Sequence, residues 1–115
     1  MNKYILDRED TVLLIIDIQD RLVKPMKYAE KVIEKTKILI SAAEELNMPI
    51  IYTEQYPKGL GNTVPELEEV LKNGERFEKV EFSAYTEDVK KYIQSTGRKK
   101  VIISGMETHI CVFQT

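Results

Sequence analysis

Short apolar segments that alternate with helix-like stretches constrain the fold of this chain more than any other feature of its sequence. Residues 11–18 are almost continuously apolar and rich in β-branched side chains, as expected for a parallel strand that is covered on both faces. From Tyr28 to Leu46 the apolar residues recur at every third or fourth position, which predicts an amphipathic helix. Asn47 and Pro49 then end that helix.

The rest of the chain continues this alternation. Residues 50–53 predict a second strand, residues 76–80 a short polar edge strand, and residues 99–105 a fourth strand. Thr86 is a candidate N-cap for a helix that ends at Gly97. Alternation of this kind predicts an α/β fold with right-handed crossovers and a mainly parallel sheet.

A loop and a helix start are predicted after the second strand. Residues 55–62 contain one proline and two glycines, which indicates a loop. Thr63, three residues before Glu66, predicts a capping box, with Pro65 in the first helical turn.

The composition limits the class of protein. With 115 residues and 43% hydrophobic content the chain forms at most one domain with a small core. A net charge of −2 without a basic stripe argues against a nucleic-acid partner. The longest aliphatic run, residues 12–16, is too short to span a membrane, and the start of the chain is too polar for a signal peptide. A single cysteine suits a reducing compartment, so we expect a soluble cytoplasmic protein.

Two charged residues fall at the ends of predicted strands, where parallel sheets bind ligands. Asp17 interrupts the first apolar run, and burying it costs several kcal/mol unless it is paired or hydrogen-bonded. It either takes part in chemistry or only accepts backbone N–H bonds in a turn. Lys79 on the edge strand is either an exposed lysine that prevents edge pairing or a partner of Asp17. As partners, each would keep the other charged, and the pair would be ready to polarise a thiol.

Cys111 follows the glycine turn at the end of the fourth strand and opens the next predicted helix. The helix dipole at that place lowers the pKa of a thiol, which favours a nucleophile, whereas the alternative is a small buried core residue. His109 lies two positions earlier and would point away from the thiol, so a Cys–His dyad is not favoured. One histidine is also too little for a zinc site.

Four motifs, in this order, resemble the isochorismatase-like cysteine hydrolase superfamily, and most closely its isochorismatase-domain-containing branch. The similarity runs from about residue 10 to the end of the chain. The motifs are Asp-Ile-Gln at 17–19, Thr-Glu-Gln-Tyr-Pro-Lys-Gly-Leu-Gly at 53–61, Lys-Val-Glu-Phe-Ser at 79–83 and Gly-Met-Glu-Thr-His-Ile-Cys-Val-Phe-Gln-Thr at 105–115.

This resemblance implies a Rossmann-like three-layer αβα fold with strand order 3-2-1-4, and a catalytic triad of Asp17, Lys79 and Cys111. Asp17 would take the thiol proton, Cys111 would attack an acyl carbon to form a thioester, and Lys79 would hold the charges. The resemblance also implies a cis peptide bond between Met106 and Glu107. The backbone N–H groups of Glu107 and Cys111 would then form the oxyanion hole.

Comparison within the superfamily narrows the chemistry. Residues 54–59 lack the histidines of the metal-binding motif found in nicotinamidases, so we expect neither a metal nor a cofactor. Isochorismatases proper cleave a vinyl ether without a cysteine, so Cys111 favours acyl transfer. The first hypothesis is therefore a metal-independent hydrolase of a small amide or ureide. The candidate substrate-binding residues, for which ordinary loop packing is the alternative, are Gln19, Gln55, Tyr56 and Phe82.

Domains of this superfamily continue with further βα units after the cysteine, which predicts that residues 1–115 are an incomplete N-terminal portion. Either the chain is a fragment of a longer protein, or it is a natural truncation that associates with another chain. The fourth strand would then be an apolar edge, which predicts a homo-oligomer. The second hypothesis is accordingly a non-catalytic module that serves oligomerisation or protein interaction.

Overall fold

A parallel β-sheet forms the centre of the molecule. The computed structural model describes residues 7–23, 27–80 and 83–105. Within these ranges the sheet has four strands in the order β3-β2-β1-β4, and every neighbouring pair is parallel. This confirms the predicted fold class and strand order. The strands are β1 (Thr11–Ile16), β2 (Ile50–Gln55), β3 (Glu75–Lys79) and β4 (Lys100–Gly105).

Helices connect the strands. The two long helices confirm the predicted ones, and Gly97 ends the second with a φ of 72°. The Thr86 hydroxyl accepts the Val89 N–H at 3.4 Å, as predicted for an N-cap. In the part of the chain described here, no helix is both long enough and apolar enough to cross a membrane. The helices are α1 (Asp20–Val23), α2 (Ala29–Glu45), α3 (Pro57–Leu60), α4 (Pro65–Glu68) and α5 (Glu87–Thr96).

The core lies on both faces of β1, whose six residues are all buried. Leu13 and Ile15 pack in a cluster with α2, whereas the alternate residues pack with α5 on the opposite face. Because both faces of the strand are covered, its sequence is continuously apolar, and the layers follow the order helix, sheet, helix.

The segment after β2 differs from the prediction. Strand β2 extends to Gln55, and the predicted loop contains the single helical turn α3. The predicted capping box is wrong, because Val64 is the N-cap of α4 and no side chain caps it. The Thr63 hydroxyl instead donates to the buried carboxylate of Glu54, an acceptor that the sequence pattern did not reveal.

The register brings the carboxyl ends of the strands to one edge of the sheet. Ile16 lies opposite Thr53 of β2 on one side and opposite Gly105 of β4 on the other. Gln55 lies opposite Lys79 at the end of β3. The candidate residues that lie at the ends of β1, β2 and β3, or directly after them, therefore meet at this edge.

Candidate active site at the carboxyl edge of the sheet

Asp17 turns the chain out of β1 and is completely buried. Its backbone adopts the left-handed conformation with a φ of 52°, which aspartate tolerates better than most residues. Its N–H donates to the Thr53 carbonyl at 3.2 Å, and the Thr53 hydroxyl donates to Oδ1 at 2.8 Å. The carboxylate is thus anchored to β2.

Lys79 reaches Asp17 across the end of β2. Its Nζ lies 2.8 Å from Asp17 Oδ2, and the exposed fractions of the two side chains are 1% and 0%. The structure therefore favours the pairing alternative for Lys79 over that of an exposed edge lysine. Two charges removed from water in this way are stable only together, because each offsets the desolvation cost of the other.

The two carboxylate oxygens of Asp17 have different surroundings. Oδ1 accepts the Thr53 hydroxyl hydrogen bond, whereas Oδ2 accepts no hydrogen bond from the residues that the structure describes. The contact of Oδ2 with the Lys79 ammonium is a charge contact.

Gln55 joins this pair through its side-chain amide. Its Oε1 accepts from Lys79 Nζ at 2.6 Å, and its Nε2 donates to the Val80 carbonyl at 3.0 Å. The amide therefore contacts the lysine for which the family resemblance predicts a catalytic role. Its predicted role in substrate binding stays a prediction.

Gln19 is buried beneath the loop that follows β2. Its Nε2 donates to the carbonyls of Gln55 at 2.9 Å and Gly61 at 2.6 Å, and its Oε1 accepts the Gln55 N–H at 2.6 Å. These contacts are those of a residue that fixes a loop, which is the alternative that the sequence left open. Substrate binding by Gln19 stays untested.

Tyr56 lies beside an open cleft of about 500 Å³. It is an exposed residue in the left-handed conformation, with a φ of 37°, and a Cβ at Gly59 would overlap its ring. The cleft is of a size that suits a small molecule. Its lining residues are Tyr56, Pro57, Lys58, Glu78, Lys79, Val80, Thr86, Glu87 and Asp88.

Glu54 is a buried carboxylate to which the sequence analysis assigned no role. Oε1 contacts Arg76 Nη2 at 2.7 Å and Nε at 2.8 Å, while Oε2 accepts the N–H and hydroxyl of Thr63 at 2.7 and 2.8 Å. The hydrogen bond with Glu54 raises the pKa of Arg76 above its ordinary value. The signal in the sequence was the same as for Asp17, namely a carboxylate at the end of an apolar strand.

Cys111, Glu107 and Phe82 lie outside the described residues, as does the predicted cis bond between Met106 and Glu107. The structure does place Gly105, where β4 ends, opposite Ile16. The segment that carries Cys111 therefore starts beside the residue that precedes Asp17. In the described ranges, no group of three or more metal-ligating side chains of the His, Cys, Asp and Glu types occurs.

Comparison with known proteins places this fold in a class, the α/β proteins with an isochorismatase domain. The model of the isochorismatase domain family matches residues 11–115. This chain therefore belongs to the isochorismatase family, as the motifs predicted. Isochorismatase family protein 1A of Dictyostelium discoideum is 38% identical in an alignment 110 residues long, which covers 91% of this chain and 53% of that protein.

Solved structures agree with this assignment. The MAR1 ribonuclease of Caenorhabditis elegans superposes with a TM-score of 0.89 at 38% identity, over 96% of this chain and 57% of that one. YcaC from Pseudomonas aeruginosa, solved with hexane-2,5-diol and covalent acrylamide, superposes with a TM-score of 0.84 at 28% identity, over 97% and 58%. The chain thus spans about half the length of the relatives that it matches.

Proposed function

We propose that this chain carries the catalytic residues of a metal-independent cysteine hydrolase that acts on a small amide or ureide. The observation that supports this most directly is the buried contact between Asp17 and Lys79. A base and a cation held without water at the edge of a parallel sheet are what activation of a nearby thiol requires. Cys111, six positions after Gly105, supplies that thiol in the proposal.

In the first step the Asp17 carboxylate takes the proton of the Cys111 thiol. The thiolate attacks the acyl carbon of the substrate, a C–S bond forms, and the carbonyl oxygen becomes an oxyanion. The backbone N–H groups of Glu107 and Cys111 donate to this oxygen. Lys79 stays protonated and offsets the charge that moves from Asp17 to the sulfur.

In the second step the C–N bond breaks, and the amine leaves with the proton that Asp17 had taken. A water molecule then attacks the thioester and gives its proton to Asp17. The C–S bond breaks, the acid leaves, and the thiolate recovers that proton. The net reaction consumes one water and releases one acid and one amine, so no oxidant or cofactor is needed.

Alkylation of the only cysteine tests the activation of the thiol. The purified chain is treated with iodoacetamide over a range of pH, and labelling is followed by intact-protein mass spectrometry. Acrylamide serves as a second electrophile, since it is bound covalently in the YcaC structure. We expect labelling to begin well below the ordinary thiol pKa of about 8.5.

Two variants connect that reactivity to the site. Lys79→Met removes the cation and is expected to move the labelling profile to higher pH. Asp17→Asn removes the base together with its negative charge, so it is expected to move the profile to lower pH and to abolish turnover. Thr53→Val, which removes only the hydroxyl bound to Oδ1, is the milder variant if the first two do not fold. The proposal would be contradicted if the wild type were labelled with the pKa of an unfolded thiol and if none of the three variants changed that pKa.

A screen of small amides and ureides, with ammonia or amine release as the readout, tests the reaction itself. Because one relative is named a ribonuclease, RNA is included in the screen. Cys111→Ser is the control that must abolish any turnover. An unreactive thiol combined with no turnover would instead favour the hypothesis of a non-catalytic interaction module.

A further inference from the structure

We infer that Gln55 is a positioning residue that holds the Lys79 ammonium against Asp17, and that Gln19 fixes Gln55 in place. This inference rests on the proposed function, because it concerns the same lysine. It assigns Gln55 a role different from the substrate contact that the sequence predicted.

The Lys79 ammonium has two partners in the site. Lys79 Nζ contacts Asp17 Oδ2 at 2.8 Å and Gln55 Oε1 at 2.6 Å. A lysine side chain has four flexible methylene groups, so one contact alone does not fix the position of its charge. A second partner, the Gln55 oxygen, restricts that position further. Because the Gln55 amide is neutral, it directs the ammonium without competing with Asp17 for its charge.

The Gln55 amide has one favourable orientation between its two neighbours. Nε2 donates to the Val80 carbonyl at 3.0 Å, while Oε1 faces Lys79. The reversed amide would set its nitrogen against the ammonium and its oxygen against a carbonyl, and both contacts would be repulsive. Only one orientation therefore satisfies both neighbours, and in that orientation the oxygen points at the lysine.

Gln55 is held in place by the side chain of Gln19. Gln19 binds both backbone groups of Gln55, the N–H at 2.6 Å and the carbonyl at 2.9 Å. Its remaining amide hydrogen goes to the Gly61 carbonyl, so the Gln19 side chain is committed to this loop. Gln19 follows Asp17 by two residues. One short segment after β1 thus supplies the Asp17 carboxylate and also anchors Gln55, which holds the Lys79 ammonium near that carboxylate.

Direct substrate binding by Gln55 is a separate role. Each polar end of its side chain has one partner, Lys79 or the Val80 carbonyl, and the amide has one further N–H and one further lone pair. The positioning role therefore does not depend on whether Gln55 also contacts a substrate.

The pH profile of iodoacetamide labelling at Cys111 tests the inference. Gln55→Met keeps the length of the side chain and removes both polar groups, while Gln94→Met, at an exposed glutamine of α5, is the matched control. We expect Gln55→Met to raise the apparent pKa of labelling by about one unit, the order expected for one hydrogen bond to a charged group. Gln94→Met should leave the profile unchanged.

A double variant distinguishes positioning from general destabilisation. If Gln55 acts through Lys79, Gln55→Met should add nothing to the shift already caused by Lys79→Met. A merely structural effect would add to it. If Gln55→Met fails to fold, Gln55→Asn retains the amide but is one methylene too short to reach Lys79, and the same shift is expected.

The outcomes separate this inference from the proposed function. A shift for Lys79→Met without one for Gln55→Met or Gln55→Asn overturns the inference and leaves the hydrolase proposal standing. Additive shifts in the double variant also overturn it. If the thiol pKa is unperturbed in the wild type, and neither Lys79→Met nor Asp17→Asn changes it, both this inference and the hydrolase proposal are overturned.

Discussion

Lys79 and Asp17 form their ion pair across the end of a strand to which neither belongs. Nζ and Oδ2 are 2.8 Å apart, although β2 separates β3 from β1 in the sheet. The intervening strand takes part on both sides, because Thr53 binds the carboxylate and Gln55 binds the ammonium. These two β2 residues are two positions apart and hence on the same face of the strand. The pair is therefore built by three strands.

Loss of one partner of this buried pair is expected to destabilise the fold strongly. Lys79→Met should lower the free energy of unfolding by about 3–5 kcal/mol, because it leaves the Asp17 carboxylate buried without its cation. Combining it with Asp17→Asn should recover part of that loss. Urea unfolding measures both, with Lys91→Met, an exposed lysine of α5, as the control. A loss for Lys79→Met no greater than that for Lys91→Met would contradict the burial of the pair.

Gln19→Leu is expected to release the loop after β2. It leaves two backbone groups of Gln55 and the Gly61 carbonyl without their partner, at about 1–3 kcal/mol for each group that stays buried. Hydrogen exchange at the Gln55 amide should quicken more than exchange within α2. Gln94→Leu is the matched control at an exposed site. Unchanged protection of the Gln55 amide would rule out this role for Gln19.

The contacts of Glu54 predict that three variants lose different amounts of unfolding free energy, in a definite order. Arg76→Met should cost about 1–2 kcal/mol, since its side chain is 39% exposed and water screens part of the pairing. Glu54→Leu should cost about 1–3 kcal/mol more, because it also leaves the Thr63 N–H unpaired. Glu78→Gln, at a 56% exposed partner of the same arginine, should cost well under 1 kcal/mol. Urea unfolding of the three variants checks the order, and equal losses would contradict it.

Tyr52 gives an expected dependence of stability on pH. Burial, with a smaller contribution from the Glu54 carboxylate, raises the pKa of Tyr52 above its ordinary 10.0. Because the pKa is higher in the folded state, the contribution of protonated Tyr52 to the stability of the fold is complete below pH 10.0. That contribution is lost as the pH rises toward the folded-state pKa. The stability of the wild type relative to Tyr52→Phe should therefore be constant from about pH 7 to 9 and fall above that. This would be refuted if the difference in unfolding free energy between the wild type and Tyr52→Phe stayed constant as the pH rose into the alkaline range.

The strand pattern, the long helices and the order of the sheet were predictable because their signals are local or typical of a family. A strand that is covered on both faces must be apolar throughout, as residues 11–16 are. The cap at Thr86 and the glycine at Gly97 are likewise read from neighbouring positions. The predicted capping box at Thr63 failed because Val64 is the N-cap of α4, and the Thr63 hydroxyl lies instead against the Glu54 carboxylate, to which it donates.

The amino-acid sequence by itself determined the α/β class, the family and the identity of Asp17 and Lys79 as chemical candidates. Only the tertiary structure decided that Lys79 is buried on Asp17 rather than exposed on its edge strand. It also decided that the Gln55 amide faces that lysine and that Gln19 is committed to a loop. The physical reason is that periodicity reports which face of an element is buried. Periodicity does not report which charged groups pair, because pairing depends on the register of three strands. It also depends on contacts between residues far apart in the sequence, such as Asp17 and Lys79, which are 62 positions apart.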